Sequence, residues 1–389
     1  MSSRGFLDKK LLVITSRYPN CDNTFIGEVF VKNQVESFKK YFKEIIVIAP
    51  VLFSFKLMQY DKLCENYTYD NVKVYFPRCF YVPIFYFNKI LIDNRFKVIQ
   101  NVIEKENIEF DLIHAHFTWP SAYVATRLKE IYHTPVVVTI HENSGWFQKE
   151  VNMNYPLIDY AWEKADALIR VNKRDIPVLK KYNKNVFSIP NGFSPYIKPL
   201  DQNKCRKILN LPENKKIIFT LGWLIDRKGF NYLIDAMKGI VNDRKDVLCL
   251  IGGSGPQKNR LQKQINELNL NNYVKLVGQI KPENVGLWMN ASDLFVLPSL
   301  SESFGVVIIE AIACGKPVVT TYNGGSEEII CSDEYGLLCN PANIKELINK
   351  IMVSLDKKWD RRKIRGYGSQ FTWDNVVKQI VEIYKNLIN

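Results

Sequence analysis

The chain alternates short apolar runs with longer amphipathic stretches, and this alternation predicts most of its elements. Lys9–Ser16, Glu44–Pro50, Val72–Phe76, Leu112–His116, Val136–His141, Ala167–Val171 and Val186–Ile189 are short runs, most of them rich in Val, Ile and Leu, as expected of strands buried on both faces. Helical stretches lie between most of them, the first predicted over Gly27–Tyr41. Strands alternating with helices imply a parallel sheet with crossover helices. The segment Pro190–Leu200 then collects Pro, Asn, Gly and Ser and reads as a linker. Beyond it the pattern restarts, with strands predicted at Ile217–Leu221, Val247–Ile251, Val274–Val277, Asp293–Leu297 and Val318–Thr321. The fold class is therefore α/β. Two doubly wound domains are expected over 1–194 and 195–371, followed by a last helix over 372–389. No tandem repeat of solenoid length interrupts this plan.

In an open parallel sheet, ligands bind beyond the carboxyl ends of the strands, so those ends carry the candidate chemistry. The run Asp293–Leu297 stops at Pro298, and an apolar helix is expected from Val306 to Cys314, closed by Gly315 and Pro317. Ser303 is the expected N-cap of that helix. The amides of Phe304, Gly305 and Val306 would then face an anion such as a diphosphate. Glu302 precedes this corner, and Glu310 lies inside the helix, roughly 7 Å further along its axis. Carboxylates accept sugar hydroxyls well, so the arrangement suits a molecule with hydroxyls on both sides of a diphosphate, namely a nucleotide sugar. A solvated loop acid and a surface helix acid are the plain alternative. Against it, Glu310 interrupts Val-Val-Ile-Ile and Ala-Ile-Ala, where an unpaired charge is costly.

Other strand ends add to the same ligand. Ile217–Leu221 runs into Gly222, and Arg227 and Lys228 follow at a helix start, where adjacent cations would neutralise a diphosphate. Val247–Ile251 ends in Gly252-Gly253-Ser254-Gly255-Pro256, and Val274–Val277 ends at Gly278. Each glycine turn is a weak signal alone; their convergence is stronger. In the first half, Gly27 follows the first strand, either as a site for close approach of a phosphate or sugar or as a plain turn glycine. All four histidines fall between Asp111 and His141, and His116 and His141 end their strands. Strand-end histidines are usually structural; His141 joins Glu302, Arg227 and Lys228 as a candidate catalytic residue, with His116 and Asn143 as candidate acceptor contacts. No His-x-x-x-His, cysteine cluster or Asp-x-Asp occurs, so no metal is expected, and Arg227, Lys228 and the helix amino terminus must carry the diphosphate charge.

Composition changes this picture in three respects. The eight cysteines are scattered without Cys-x-x-Cys and are expected to be reduced, mostly core residues. No apolar run approaches a membrane span, and Met1–Lys10 lacks the apolar core of a signal peptide; a cytoplasmic protein is expected. The net charge of +13 calls for anionic partners. With no nucleic-acid motif beside it, an anionic substrate or an anionic membrane surface is the expected partner, and no nucleic acid. Between Phe53 and Phe96, the run Arg78–Lys89 interleaves aromatic and basic residues. Such a run suits a membrane interface, and equally a core-covering excursion between strands.

Taken together, Pro298-Ser299, Glu302-(x7)-Glu310, Gly222…Arg227-Lys228-Gly229, Gly253-x-Gly255-Pro256, Ile189-Pro-Asn-Gly192 and Gly324-Gly325 resemble the retaining glycosyltransferases of family 4 over nearly the whole chain. The resemblance implies the GT-B architecture, two Rossmann-like domains facing across a cleft. It implies transfer of a sugar from a UDP- or GDP-sugar to a hydroxyl of a glycan or lipid-linked acceptor, with retention and without metal. Glu302 would lie by the donor sugar, Glu310 on the ribose, Arg227 and Lys228 on the diphosphate, and Val277, Gly278 and Ile280 by the base. The loop after Gly253 would line the same side, His141 would approach the reacting sugar, and Gly27 the phosphates. The first loop reads Phe25-Ile-Gly27-Glu-Val-Phe where many members carry Gly-Gly. A nucleotide-sugar epimerase of the same fold and a non-catalytic nucleotide-sugar or glycan-binding protein are the alternatives.

Overall fold

The apolar runs pair side by side, and their order has a functional consequence. A computed structural model describes residues 6–22, 27–53, 64–80 and 87–388. It divides into two compact units, Met1–Glu142 with Trp146–Pro190 and Trp373–Asn389, and Asn143–Gly145 with Asn191–Thr372. The division thus falls at Pro190 rather than after Ser194.

The first unit contains β1 (Lys10–Ile14), β2 (Glu44–Ile48), β3 (Val51–Phe53), β4 (Tyr67–Tyr69), β5 (Val72–Tyr75), β6 (Arg78–Phe80), β7 (Leu112–His116), β8 (Val136–Ile140), β9 (Ala167–Arg170) and β10 (Val186–Ser188). Eight of them form one sheet in the order β10-β9-β8-β7-β1-β2-β5-β4, while β3 pairs only with β6. All neighbours are parallel except β4, which lies antiparallel to β5. The short strands β3, β4 and β6 have no counterpart in the apolar pattern, being too brief and too exposed to show one. The helices are α1 (Val29–Phe38), α2 (Lys89–Lys105), α3 (Tyr123–Tyr132), α4 (Ser144–Met153), α5 (Pro156–Lys164) and α6 (Ile176–Leu179). The helix expected over Gly27–Tyr41 is therefore shorter at both ends. Much of the aromatic and basic segment, residues 54–63 and 81–86, lies outside the described residues, as do Phe25 and Ile26 of the first loop.

Strand periodicity divides the core cleanly. Leu12 and Ile14 pack with Ile46, Ile113, Val136 and Val138 into one apolar cluster. Leu11 and Val13 enter a second, with Ile45, Val47, Leu112 and Val137. That second cluster also takes Trp373, Val376, Val377, Ile380, Val381 and Tyr384, so the end of the chain belongs to the first unit.

The second unit contains β11 (Lys216–Leu221), β12 (Val247–Gly252), β13 (Val274–Gly278), β14 (Leu294–Leu297), β15 (Val318–Thr321) and β16 (Gly336–Cys339), a parallel sheet ordered β13-β12-β11-β14-β15-β16. Its helices are α7 (Gln202–Ile208), α8 (Phe230–Asp243), α9 (Lys258–Glu267), α10 (Val285–Ala291), α11 (Val306–Ala313), α12 (Ser326–Ile329), α13 (Ile344–Asp356) and α14 (Arg361–Gly368). The last helix of the chain, α15 (Trp373–Ile388), is the one packed into the first unit. Strand β16 is a further addition to the expected set. Each sheet runs outward in both directions from its first strand, the order of a dinucleotide-binding fold. In the second unit the order reverses between β11 and β14, so the loops leaving these two strands diverge around a crevice.

Two glycines hold the loops of that edge together. Gly229 has φ +66°, and a Cβ there would lie 2.1 Å from the Pro298 carbonyl oxygen. Gly253 has φ +134°, and its Cβ would lie 1.9 Å from the Gly222 carbonyl oxygen. Gly253→Ala is therefore expected to destabilise the second unit by about 3 kcal/mol or more, from backbone strain plus overpacking. Gly278→Ala is the comparison, since φ there is +80° but no atom lies within 4 Å of the added carbon. It should cost only about 1–2 kcal/mol. Chemical denaturation of both variants checks the ranking, and equal losses would refute the close-packing argument.

All eight cysteines are free thiols, five of them buried, in keeping with a reduced core. Among the described residues, no helix is long and apolar enough to cross a membrane.

Candidate functional site

The carboxyl edge of the second sheet brings together residues from four strand ends. After β11, Asp226–Lys228 form a short 3₁₀ turn, and the Arg227 carbonyl accepts from the amide of Leu300 at 2.8 Å. This backbone bond docks the β11 loop on the β14 loop across the crevice. It places Lys228 Nζ 2.6 Å from Glu302 Oε1 and Arg227 Nη1 3.2 Å from Glu302 Oε2. Arg227 also donates to the Ser301 carbonyl. Glu302 is buried. Burial works to raise its carboxyl, but Lys228 and then Arg227 outweigh it and hold the group below the ordinary carboxylate range. The two cations expected on the diphosphate and the acid expected by the donor sugar thus form one charge cluster.

The loop after β15 closes the corner from the other side. Glu302 N donates to Asn323 O at 3.0 Å, and a Cβ on Gly325 would lie 2.6 Å from the Phe304 amide nitrogen. Asn323 Oδ1 in turn accepts from the amides of Gly325 and Ser326. Gly325 is needed because the two backbones touch.

Helix α11 corrects one expectation. Its N-cap is Gly305, in the left-handed region, with no side-chain cap bond, so Ser303 does not cap it. Gly305 can take that conformation freely and starts the helix two residues later than Ser303 would have. Among the described residues, no group accepts from the amides of Phe304, Gly305 or Val306. Those amides are unsatisfied donors at the positive end of a helix, suited to an anion. The Phe304 ring itself is buried against Phe371, so only its backbone is available.

Inside α11, Glu310 is 9% exposed. Among the described residues its carboxyl has no hydrogen-bond or ion-pair partner, and burial alone pushes it up to about 8. An unpaired buried acid is costly and persists where a ligand supplies the missing partners. On the far side of β11, Gly253 N donates to Gly278 O at 2.7 Å. The Ile280 side chain lies against Gly252, with Cδ1 2.7 Å from where a Cβ would stand. Val277 and Gly278 are half-buried beside it. Gly222, Arg227, Lys228, Gly253, Val277, Gly278, Ile280, Glu302, Phe304, Gly305, Val306 and Glu310 therefore all occupy one sheet edge of the second unit.

Gly27, His116 and His141 belong to the first unit. Gly27 has φ +51°, and a Cβ there would lie 2.8 Å from the Tyr18 carbonyl carbon; the loop backbone packs tightly at this point. His116 and His141 are buried at the carboxyl ends of β7 and β8. Asn143 groups with the second unit, where its neighbour Ser144 donates to the Glu302 carbonyl at 2.8 Å.

Two further acids at the edge of the first sheet escaped sequence reasoning. Glu142 accepts from the Thr118 amide at 2.6 Å, and Glu150 from Trp146 Nε1 at 3.0 Å. Each keeps one buried oxygen with no partner among the described residues. Burial raises both carboxyls, Glu150 the further because Glu142 is also near. Glu142 follows His141 directly, a signal of sorts; Glu150 sits in a polar helix and gave none.

Comparison with known proteins adds identity to this geometry. The family described as Glycosyl transferases group 1 matches residues 201–371, and Glycosyltransferase Family 4 matches residues 56–195. An uncharacterised glycosyltransferase of Methanocaldococcus jannaschii is 28% identical over 383 residues, covering 97% of this chain and 98% of that protein. The N-acetyl-alpha-D-glucosaminyl L-malate synthase of Bacillus anthracis is 25% identical, covering 79% of this chain and 85% of its own. Among solved structures, sucrose-phosphate synthase from Thermosynechococcus elongatus aligns with a TM-score of 0.78 at 22% identity, covering 97% of this chain and 99% of that one. Anabaena HepE, in complex with UDP and glucose, aligns at 0.74 with 24% identity, covering 98% and 100%.

Proposed function

Because the chain belongs to the group 1 glycosyltransferases of family 4, an enzyme class with the GT-B fold, we propose that it transfers a sugar from a UDP- or GDP-sugar to an acceptor hydroxyl, retaining the anomeric configuration and using no metal. The observation that carries this reading is the unpartnered Glu310 carboxyl beside the unsatisfied amides of Phe304 to Val306. Those groups match a diphosphate at the amino end of the helix and ribose hydroxyls further along it. Lys228 and Arg227 supply the positive charge that a metal would otherwise bring to the leaving diphosphate, and Glu302 lies by the donor sugar. In the reaction the bond from the anomeric carbon to the phosphate oxygen breaks, and a bond to the acceptor oxygen forms on the same face. The acceptor proton passes to the departing phosphate oxygen. Related structures support the donor class, since HepE was solved with UDP and with UDP-glucose. The acceptor proposed is a hydroxyl of a glycan or lipid-linked saccharide in cell-surface polysaccharide or glycolipid assembly.

A melting experiment with UDP, GDP and ADP tests the donor site. One nucleotide at about 100 times its dissociation constant should add about 2.7 kcal/mol to wild-type stability. The effect should survive EDTA and vanish in Glu310→Ala. Stabilisation that disappears with EDTA would overturn metal independence, and stabilisation that persists in Glu310→Ala would overturn the placement of the ribose.

A further inference from the structure

Three of the four histidines stand on one face of the first sheet. His114 and His116 alternate on β7, and His116 pairs in register with Thr139 of β8, two residues before His141. Strand periodicity therefore brings the three rings together. His114 and His116 stack with centroids 4.5 Å apart, and His116 and His141 with centroids 5.3 Å apart, at 25° and 17° between planes. His116 Nδ1 lies 3.0 Å from His141 Nε2. His114 is held at both nitrogens, Nε2 by Thr139 Oγ1 at 2.7 Å and Nδ1 by the Tyr384 hydroxyl at 2.5 Å. Stacked on the next ring, it keeps His116 from turning its Nδ1 away from His141. Phe30 and Phe117 flank His141 at centroid distances of 4.7 and 5.1 Å.

Burial holds His116 and His141 well below the ordinary imidazole range, so both rings are neutral and one proton lies between them in an N–H···N bond. Their outer nitrogens, His116 Nε2 and His141 Nδ1, are buried with no partner among the described residues. The two ends are linked. If His141 donates to His116, its own Nδ1 is a bare acceptor; if His116 donates, His141 Nδ1 carries the proton. The polarity that His141 offers a sugar hydroxyl is decided one ring away.

We propose that His116 is a positioning residue that sets the tautomer and ring plane of His141 for the transfer reaction. This rests on the reading of His141 as the group near the reacting sugar. The test uses deuterated protein labelled with ¹⁵N-histidine, whose four histidines keep the long-range ¹H–¹⁵N spectrum simple. Wild type should show one neutral tautomer at His141, with one pyrrole-like and one pyridine-like nitrogen. His116→Leu should collapse the two shifts toward an exchange average, and His116→Asn, whose side-chain amide falls near the lost Nδ1, should restore the split. In turnover, His116→Leu should lower kcat by about 100-fold with donor KM little changed, as a misplaced catalytic group does, and His116→Asn should recover most of it. Averaged shifts in wild type, or a split that survives in His116→Leu, overturn the proposal without any need for the variant to be active. If His141→Ala keeps full activity while the tautomers respond as expected, the assignment of His141 to the sugar is what fails, and the control of its tautomer by His116 stands.

Discussion

Lys228→Ala is expected to lower kcat by about 10²- to 10³-fold, the loss typical of removing one preorganised donor from a developing anion. Lys228 is the most buried cation at the corner, with 13% of its side chain exposed against 31% for Arg227, and it makes the shorter bond to Glu302. In the ligand-free protein that bond keeps Lys228 ordered and pointed at the crevice. A diphosphate then takes over the charge at little reorganisation cost. The substitution should also lower the melting temperature, because it leaves buried Glu302 with only its longer contact to Arg227; breaking one side of a buried pair costs about 3–5 kcal/mol. Glu302→Gln added to Lys228→Ala separates the two effects. Stability should return with the charge removed, whereas kcat should not. Turnover of Lys228→Ala within threefold of wild type would eliminate it as the diphosphate ligand.

Glu310→Gln should stabilise the empty enzyme and abolish its response to nucleotide. Burial raises the Glu310 carboxyl to about 8, from about 4.3 for an unfolded glutamate. A carboxyl raised on folding favours the folded state only while protonated. Its contribution is complete below the unfolded value and is lost as pH rises through about 8. Within that window wild type should lose about 1.4 kcal/mol per pH unit relative to Glu310→Gln, reaching roughly 4 kcal/mol near pH 7. Ribose hydroxyls that donate to the carboxylate reverse the preference, so nucleotide binding near pH 7 should release a proton. Calorimetry in buffers of different ionisation enthalpy measures that release. Parallel stability profiles for the two proteins between pH 5 and 8 would mean that the carboxyl is not raised.

Much of this was written in local pattern. The apolar runs marked the strands because a strand buried on both faces is mostly apolar, and β12 and β14 are buried at every position. Turn glycines marked the strand ends because their backbones touch, as Gly229 does Pro298. Glu310 could be singled out because an acid inside an apolar helix is costly wherever the helix packs. The strands β3, β4 and β6 are brief and mostly exposed or half-buried, and β16 is half-buried at its centre, so none stood out as a buried apolar run. Ser303 looked like a cap by residue type, yet the chain turns through Gly305 instead.

The sequence by itself determined two doubly wound sheets, the residues at their strand ends and the acid placed inside the apolar helix α11. Tertiary structure alone decided which of those residues meet. Lys228 reaches Glu302 across 74 positions of chain, and Tyr384 reaches His114 across 270. The pairing of Glu142 and Glu150 near Thr118, and the facing nitrogens of His116 and His141, leave no trace in spacing or residue type. The physical reason is strand order. Periodicity encodes which face a side chain takes, whereas its neighbours across the sheet depend on which strands lie adjacent and in what register, a property of the packed core as a whole.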